Sequence, residues 1–183
     1  MDDREVTEHV ERHLGPFLRA HPLENDSGRD LGLGVFFFES PSMVSVVTIG
    51  LRSRMLQSPL PLELACSVRP GQEEHAERLV ERFARLSVLG DVELEYDDGL
   101  LVEEPLVPDT EIRGLLAAPH PYADEMFNLV RDADGTLSLQ FVTLVPITGP
   151  EGAYLGDHET GELFELWESA GTDLLDLRRP SAV

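Results

Sequence analysis

A chain of 183 residues with 42% hydrophobic side chains has the length and apolar content to bury one core, which excludes a disordered tail and predicts a single domain over 1–183. Its 35 carboxylates stand against 14 basic side chains, a net charge of −21 that argues against nucleic acid and anionic membrane as partners and favours a basic protein. No window approaches the ~18 apolar residues of a membrane helix, Met1-Asp2-Asp3-Arg4-Glu5 is the reverse of a basic leader, and the lone Cys66 can close no internal disulfide, so a cytoplasmic location is expected.

In chain order, Val6, Val10, Leu14 and Phe17 recur at steps of three or four and predict an amphipathic helix over about 3–19, ended by His21-Pro22. The stretch 23–34, rich in Asn, Asp, Ser and Gly, reads as a loop. Residues 35–38, 43–49 and 62–68 are short, β-branched or aromatic, and bounded by Pro or Gly, which makes three strands. Residues 72–89 return to helical spacing, with Ala76, Leu79, Val80, Phe83 and Leu86 on one face and Glu74/Arg78 and Glu81/Arg85 as supporting pairs.

Between 91 and 107, Val92, Leu94 and Tyr96 alternate with Glu93 and Glu95, and Asp97-Asp98-Gly99 supplies a turn, so a half-exposed hairpin is predicted. Pro108, Pro119 and Pro121 break up 109–125 and leave it unassigned. A second hairpin is expected from 126–130 and 136–145 around Asp132-Ala133-Asp134-Gly135. Thr148 and Glu151 have capping-box spacing with Pro150 in the first turn, which starts a helix near 149; Leu163, Phe164, Leu166 and Trp167 mark another. Leu174, Leu175 and Leu177 predict either a short edge strand or irregular packing, and the tail from Arg178 should be loose. Strands interleaved with helices, without strict alternation, give an α+β layer sandwich: a mixed, largely antiparallel sheet packed by helices.

Catalytic constellations fare poorly. His9 and His13 lie at i,i+4, but Glu11 falls on another helix face from the one a zinc-protease motif requires, and no third ligand is evident. Asp132, Asp134 and Gly135 resemble a calcium loop, yet its register places Val130 and Phe141 where oxygen ligands belong. Cys66 sits in an apolar strand, where burial keeps a thiol protonated. No catalytic residue, metal site or cofactor is therefore expected; a hydrolase using carboxylates and His120 in a pocket is the enzymatic alternative. The leading partner-binding residues are Asp91, Glu93, Glu95, Asp97, Asp98, Glu103 and Glu104, with no basic residue between them, and His120 and Tyr122, which a proline-rigid loop can project.

Three segments together resemble the Suppressor-of-fused family. They are Val46-Val47-Thr48-Ile49-Gly50-Leu51, Leu62-Glu63-Leu64, and the apolar run 139–145 leading into Pro146-Ile147-Thr148 with Glu151. The resemblance covers about 20–180 and implies an α+β fold used for protein binding without known catalysis. Bacterial members are thought to include immunity proteins that neutralise toxins, which makes a basic toxin domain the expected partner and a regulated host factor the alternative. One departure stands out: Gly152-Ala153 follows Glu151 where the family's motif has a larger apolar residue.

Overall fold

Helix α1 (Asp3–Leu14) begins at a capping box in which the Asp2 carboxylate accepts from Glu5 N at 2.8 Å and the Glu5 carboxylate accepts from Asp2 N at 2.7 Å. The structure is a computed structural model and describes residues 1–54, 60–90, 94–132 and 134–183. α1 stops at Gly15, not near residue 19 as expected. Gly15 has φ 109°, and a Cβ there would run into the Glu39 carbonyl, so the chain leaves the helix at a point only glycine can occupy.

Phe17, the fourth member of the helical pattern, instead opens strand β1 (Phe17–Glu24), which pairs antiparallel with β2 (Asp30–Glu39). The predicted loop over 23–34 is thereby reduced to a turn at 25–29, where the Asn25 side chain accepts from Ser27 N and Arg29 N. Strands β3 (Val44–Ile49) and β4 (Leu62–Val68) continue the antiparallel meander. β4 then pairs in parallel with β8 (Leu137–Thr148), the longest strand.

The first residues of β8 pair on their other side with β7 (Leu129–Arg131), as the second hairpin predicted, except that its first arm begins at Leu129 because residues 125–128 are helical; the later residues of β8 pair with β6 (Ile112–Ala118). Strand β6 occupies the stretch left unassigned. Its partner is β5 (Gly99–Leu101), so β5 and β1 are the two edges of an eight-stranded sheet ordered β1-β2-β3-β4-β8-β6-β5 among the described residues. The predicted first hairpin is corrected in part. A turn does form at 95–98 with Asp97 at φ 74°, but the strand after it pairs with distant β6. Asp91, Val92 and Glu93 lie outside the described residues.

Helix α2 (Glu73–Leu89) packs Ala76, Leu79, Val80 and Phe83 on one face of the sheet, against Phe37, Val46, Leu64 and Val142. The opposite face is covered by α1 with Phe38, Val47 and Phe141, and by α5 (Thr160–Ala170), whose Leu163 and Trp167 meet Leu116, Val145 and Ile147. Both faces of β3 and β4 are buried throughout, which explains why they are mostly apolar rather than alternating, and why their few polar side chains, Ser45, Thr48, Glu63 and Ser67, are hydrogen-bonded. Short helices α3 (Glu125–Asn128) and α4 (Gly149–Tyr154) close the gaps, α4 starting at the predicted Thr148/Glu151 capping box. Leu174, Leu175 and Leu177 pack irregularly, the second of the two expectations, and are buried. The tail is not loose at its root: Arg179 is buried and paired with Glu151.

Candidate protein-binding surface

Two glutamates from the family-like segments prove to be buried anchors of the fold. Glu63, on β4 and wholly buried, accepts from Thr48 Oγ1 at 2.7 Å, Gly50 N at 2.9 Å, Leu51 N at 3.2 Å and the Arg52 guanidinium at 2.8 Å. These donors tie β3, the following 3-10 turn (Leu51–Ser53) and β4 into one corner. Burial pushes the carboxyl pKa up, and Thr48, Arg52 and the Gly50 amide oppose it. The Arg52 guanidinium and the backbone amides of Gly50 and Leu51 can only donate to it, which favours the ionised carboxylate.

Glu151, at the start of α4, accepts from Arg179 Nη1 at 2.6 Å and Nη2 at 2.7 Å, from Trp167 Nε1 at 2.9 Å and from Thr148 N at 2.8 Å. Burial pushes this carboxyl up, but the bidentate guanidinium together with the Thr148 amide and the indole holds it below the ordinary carboxylate range. One residue further on, a Cβ at Gly152 would meet Leu101 Cδ1 at 2.5 Å. Glycine at this position leaves room for Leu101 of β5, which lies over α4.

β5 is an open edge of the sheet, with all three of its residues exposed. Asp98 O accepts from Ala117 N and Val102 N donates to Arg113 O, so the even-numbered residues bond inward to β6 and the alternation leaves the polar backbone of Gly99 and Leu101 facing away from it. Leu100 is 38% and Leu101 49% exposed, with Leu100 lining a cleft against α2 and Leu101 resting on α4. Beside the strand runs a groove of about 560 Å³, bounded by Asp97, Leu101, His158 and Glu159 and made roomy by Gly99, Gly152, Gly156 and Gly161.

Around this edge the structure gathers part of the predicted acidic set. Glu95, Asp97, Asp98, Glu103 and Glu104 are all exposed on the segments flanking β5, while Asp91 and Glu93 fall outside the described residues. Asp98 also has an internal task, its carboxylate accepting from Glu95 N at 2.8 Å. The chain order hides one basic neighbour: Arg113 on β6 donates to the Glu103 carbonyl. Leu100 and Leu101 were not singled out from the sequence; two leucines after a turn look like any strand until the missing outer neighbour is known.

His120 belongs to a different environment. It is 3% exposed, its Nε2 lies 2.7 Å from Ser67 Oγ, and Ser67 Oγ lies 2.7 Å from Ser45 Oγ. Nδ1 accepts from Tyr122 N at 3.2 Å, so the network assigns the proton to Nε2, which donates to Ser67. An imidazole in that tautomer cannot take a proton from the serine. Burial pushes its pKa down to about 4. The proline-rich loop therefore does not project His120 toward a partner. Tyr122 is exposed, but its hydroxyl accepts from Leu174 N at 2.9 Å. Elsewhere, burial pushes the Cys66 thiol up to about 12, and His9 lies near-parallel to the Phe127 and Phe141 rings, which stack on each other, with its Nε2 3.1 Å from the Phe127 carbonyl.

A family profile described as Suppressor of fused protein (SUFU) matches residues 30–180, which bears out the resemblance. No curated protein matches the chain. Among solved structures, a SUFU homologue from Neisseria gonorrhoeae is similar over 99% of this chain and 96% of its own, at 22% identity and a TM-score of 0.70. A chain of the Sufu–Fu complex is similar over 98% of this chain and 91% of its own, at 13% identity and a TM-score of 0.71. Drosophila Suppressor of Fused matches at 13% identity and a TM-score of 0.70; 98% of this chain aligns with 50% of that one. At these identities the likeness is one of fold.

Proposed function

Since the chain belongs to the Suppressor of fused protein family, we propose that it is a non-catalytic protein-binding module of the cytoplasm whose β5 edge receives an extended, basic segment of its partner. Specifically, it is an immunity-type protein that neutralises a toxin by covering it. The observation that carries the reading is the open β5 edge, with two exposed leucines, a groove along one side and exposed carboxylates at both ends. An added strand would bond to the outward groups of Gly99 and Leu101, place apolar side chains on Leu100 and Leu101, and set basic ones against Asp97, Glu103 and Glu104. The Sufu–Fu complex supplies the analogy, a protein of this fold bound to another protein. Inhibition by occlusion needs no catalytic group, since a standard interface of about 1,600 Å² is enough to cover an active site.

The test is affinity purification from the native host, or from a strain carrying the neighbouring genes, with mass spectrometry of what is retained at low and high salt. A basic toxin domain is expected, retained less at high salt and lost with Leu101→Pro, which removes an outward N–H, or with Glu103→Lys/Glu104→Lys. Recovery of a host regulator at the same edge would replace the toxin but keep the surface. Capture undiminished in both variants would place the interface elsewhere.

A further inference from the structure

We propose that His21, Glu77 and Glu81 form a site for one divalent transition-metal ion, Zn²⁺ by ligand type, which fastens strand β1 to helix α2. Glu77 and Glu81 are four apart on α2 and so share a face, and His21 reaches them from β1. His21 Nε2 lies 3.4 Å from Glu77 Oε1 and 3.0 Å from Glu81 Oε1, and one ligand atom from each of the three residues lies within 4.8 Å of the others. Zinc bonds of about 2.0–2.2 Å in a tetrahedron put neighbouring ligand atoms roughly 3.3–3.6 Å apart, so the two His21–carboxylate separations stand close to the required spacing. A single N–H pointing along its axis serves one carboxylate well; here two oxygens converge on one ring nitrogen.

The far oxygens strengthen the case. Arg85 Nη2 holds Glu81 Oε2 at 3.1 Å, and Arg19 Nη2 lies 3.5 Å from Glu77 Oε2 while its guanidinium rests 3.4 Å from the centre of the Phe37 ring. Each glutamate thus has one oxygen fixed by an arginine and the other turned toward His21, the outer-shell arrangement that orients ligating carboxylates. Those guanidinium charges oppose an incoming cation, and the net charge of −21 favours it. The three side chains keep between 21% and 31% of their surface, which leaves room for a water as fourth ligand. One imidazole and two carboxylates suit Zn²⁺ better than Mg²⁺, which prefers an all-oxygen shell. The site lies at the β1 side of the sheet, the edge opposite β5, so it stands independently of the proposed partner surface.

The experiment is calorimetric titration of chelator-stripped protein with Zn²⁺ and, separately, Mg²⁺, with thermal unfolding followed in parallel. One equivalent of Zn²⁺ is expected to bind and raise Tm, with Mg²⁺ much weaker. His21→Gln and Glu81→Gln should each weaken Zn²⁺ by at least about 10-fold and remove the Tm rise, with unchanged circular dichroism. His9→Gln/His13→Gln should leave both intact. Absence of binding, or binding unaltered in folded His21→Gln and Glu81→Gln, overturns the site.

Discussion

A carboxylate taken out of water survives in a folded chain only where donors replace its hydration. Glu151 is wholly buried and receives the Arg179 fork, the Trp167 indole and two backbone amides, Thr148 N and Ala182 N. Removing one member leaves the other charge stranded: Glu151→Ala, or truncation before Arg179, should cost about 3–5 kcal/mol, read from urea unfolding. A loss below about 1 kcal/mol would mean that water reaches the pair. His120 gives a second prediction, in pH. Burial holds its pKa near 4 in the folded chain, below the 6.5 of an ordinary imidazole, so on acidification the unfolded state binds the proton first. Stability is complete above about pH 6.5 and falls toward pH 4, by about 3 kcal/mol from this residue, a drop that urea midpoints between pH 7 and 4.5 would register. His9, also lowered by burial, adds in the same direction. The His120→Gln variant should show the shallower profile, and an identical slope in wild type and variant would remove His120 from the account.

Among the elements, β5 is held by little besides β6 and α4, and Gly114 makes its approach possible: a Cβ there would meet Leu100 O at 2.5 Å and Ile147 Cγ1 at 2.9 Å. Gly114→Val should lever β5 off β6, speed hydrogen exchange at Val102 and Ala117, and abolish partner capture while exchange at β3 and β4 stays slow. Fast exchange throughout would show instead that β5 is part of the cooperative core. What could be read from the sequence follows from how each element is buried. β3, β4 and α2 are packed by their own side chains, so their runs and spacings announce them, and the Thr148/Glu151 capping box is a local bond with a local signature. β1 is an edge strand with only Leu23 buried, so it carries no alternation, and Phe17 happens to continue the helical spacing of α1 past Gly15. β6 reads Ile-Arg-Gly-Leu-Leu-Ala-Ala, with Ile112 its one β-branched residue, and is a strand because β8 and β5 flank it. The acidic residues near β5 were visible as composition. Leu100 and Leu101 were not, since their exposure depends on the strand order.

At the scale of the whole molecule, a net charge of −21 attracts any basic partner from every side, whereas the proposed function needs attraction concentrated at one edge. The two can be separated by position. Strand order puts β1, β2 and their turn at the far side of the sheet from β5, and Asp26 in that turn and Glu24 at the end of β1 are exposed. Glu24→Lys/Asp26→Lys and Glu103→Lys/Glu104→Lys change the net charge equally, so diffuse attraction responds alike to both pairs. Local steering does not. Screening acts over about 10 Å at 0.1 M salt and about 3 Å at 1 M, so a nearby pair of charges dominates encounter once salt has quenched the general field. Stopped-flow association with the captured partner at about 0.1 M salt should therefore slow by roughly 10-fold for the β5 pair and little for the distant pair, with the difference narrowing toward 1 M. Equal slowing by both pairs would reduce the acidity to a general property of the surface and leave the apolar β5 edge alone to define the interface.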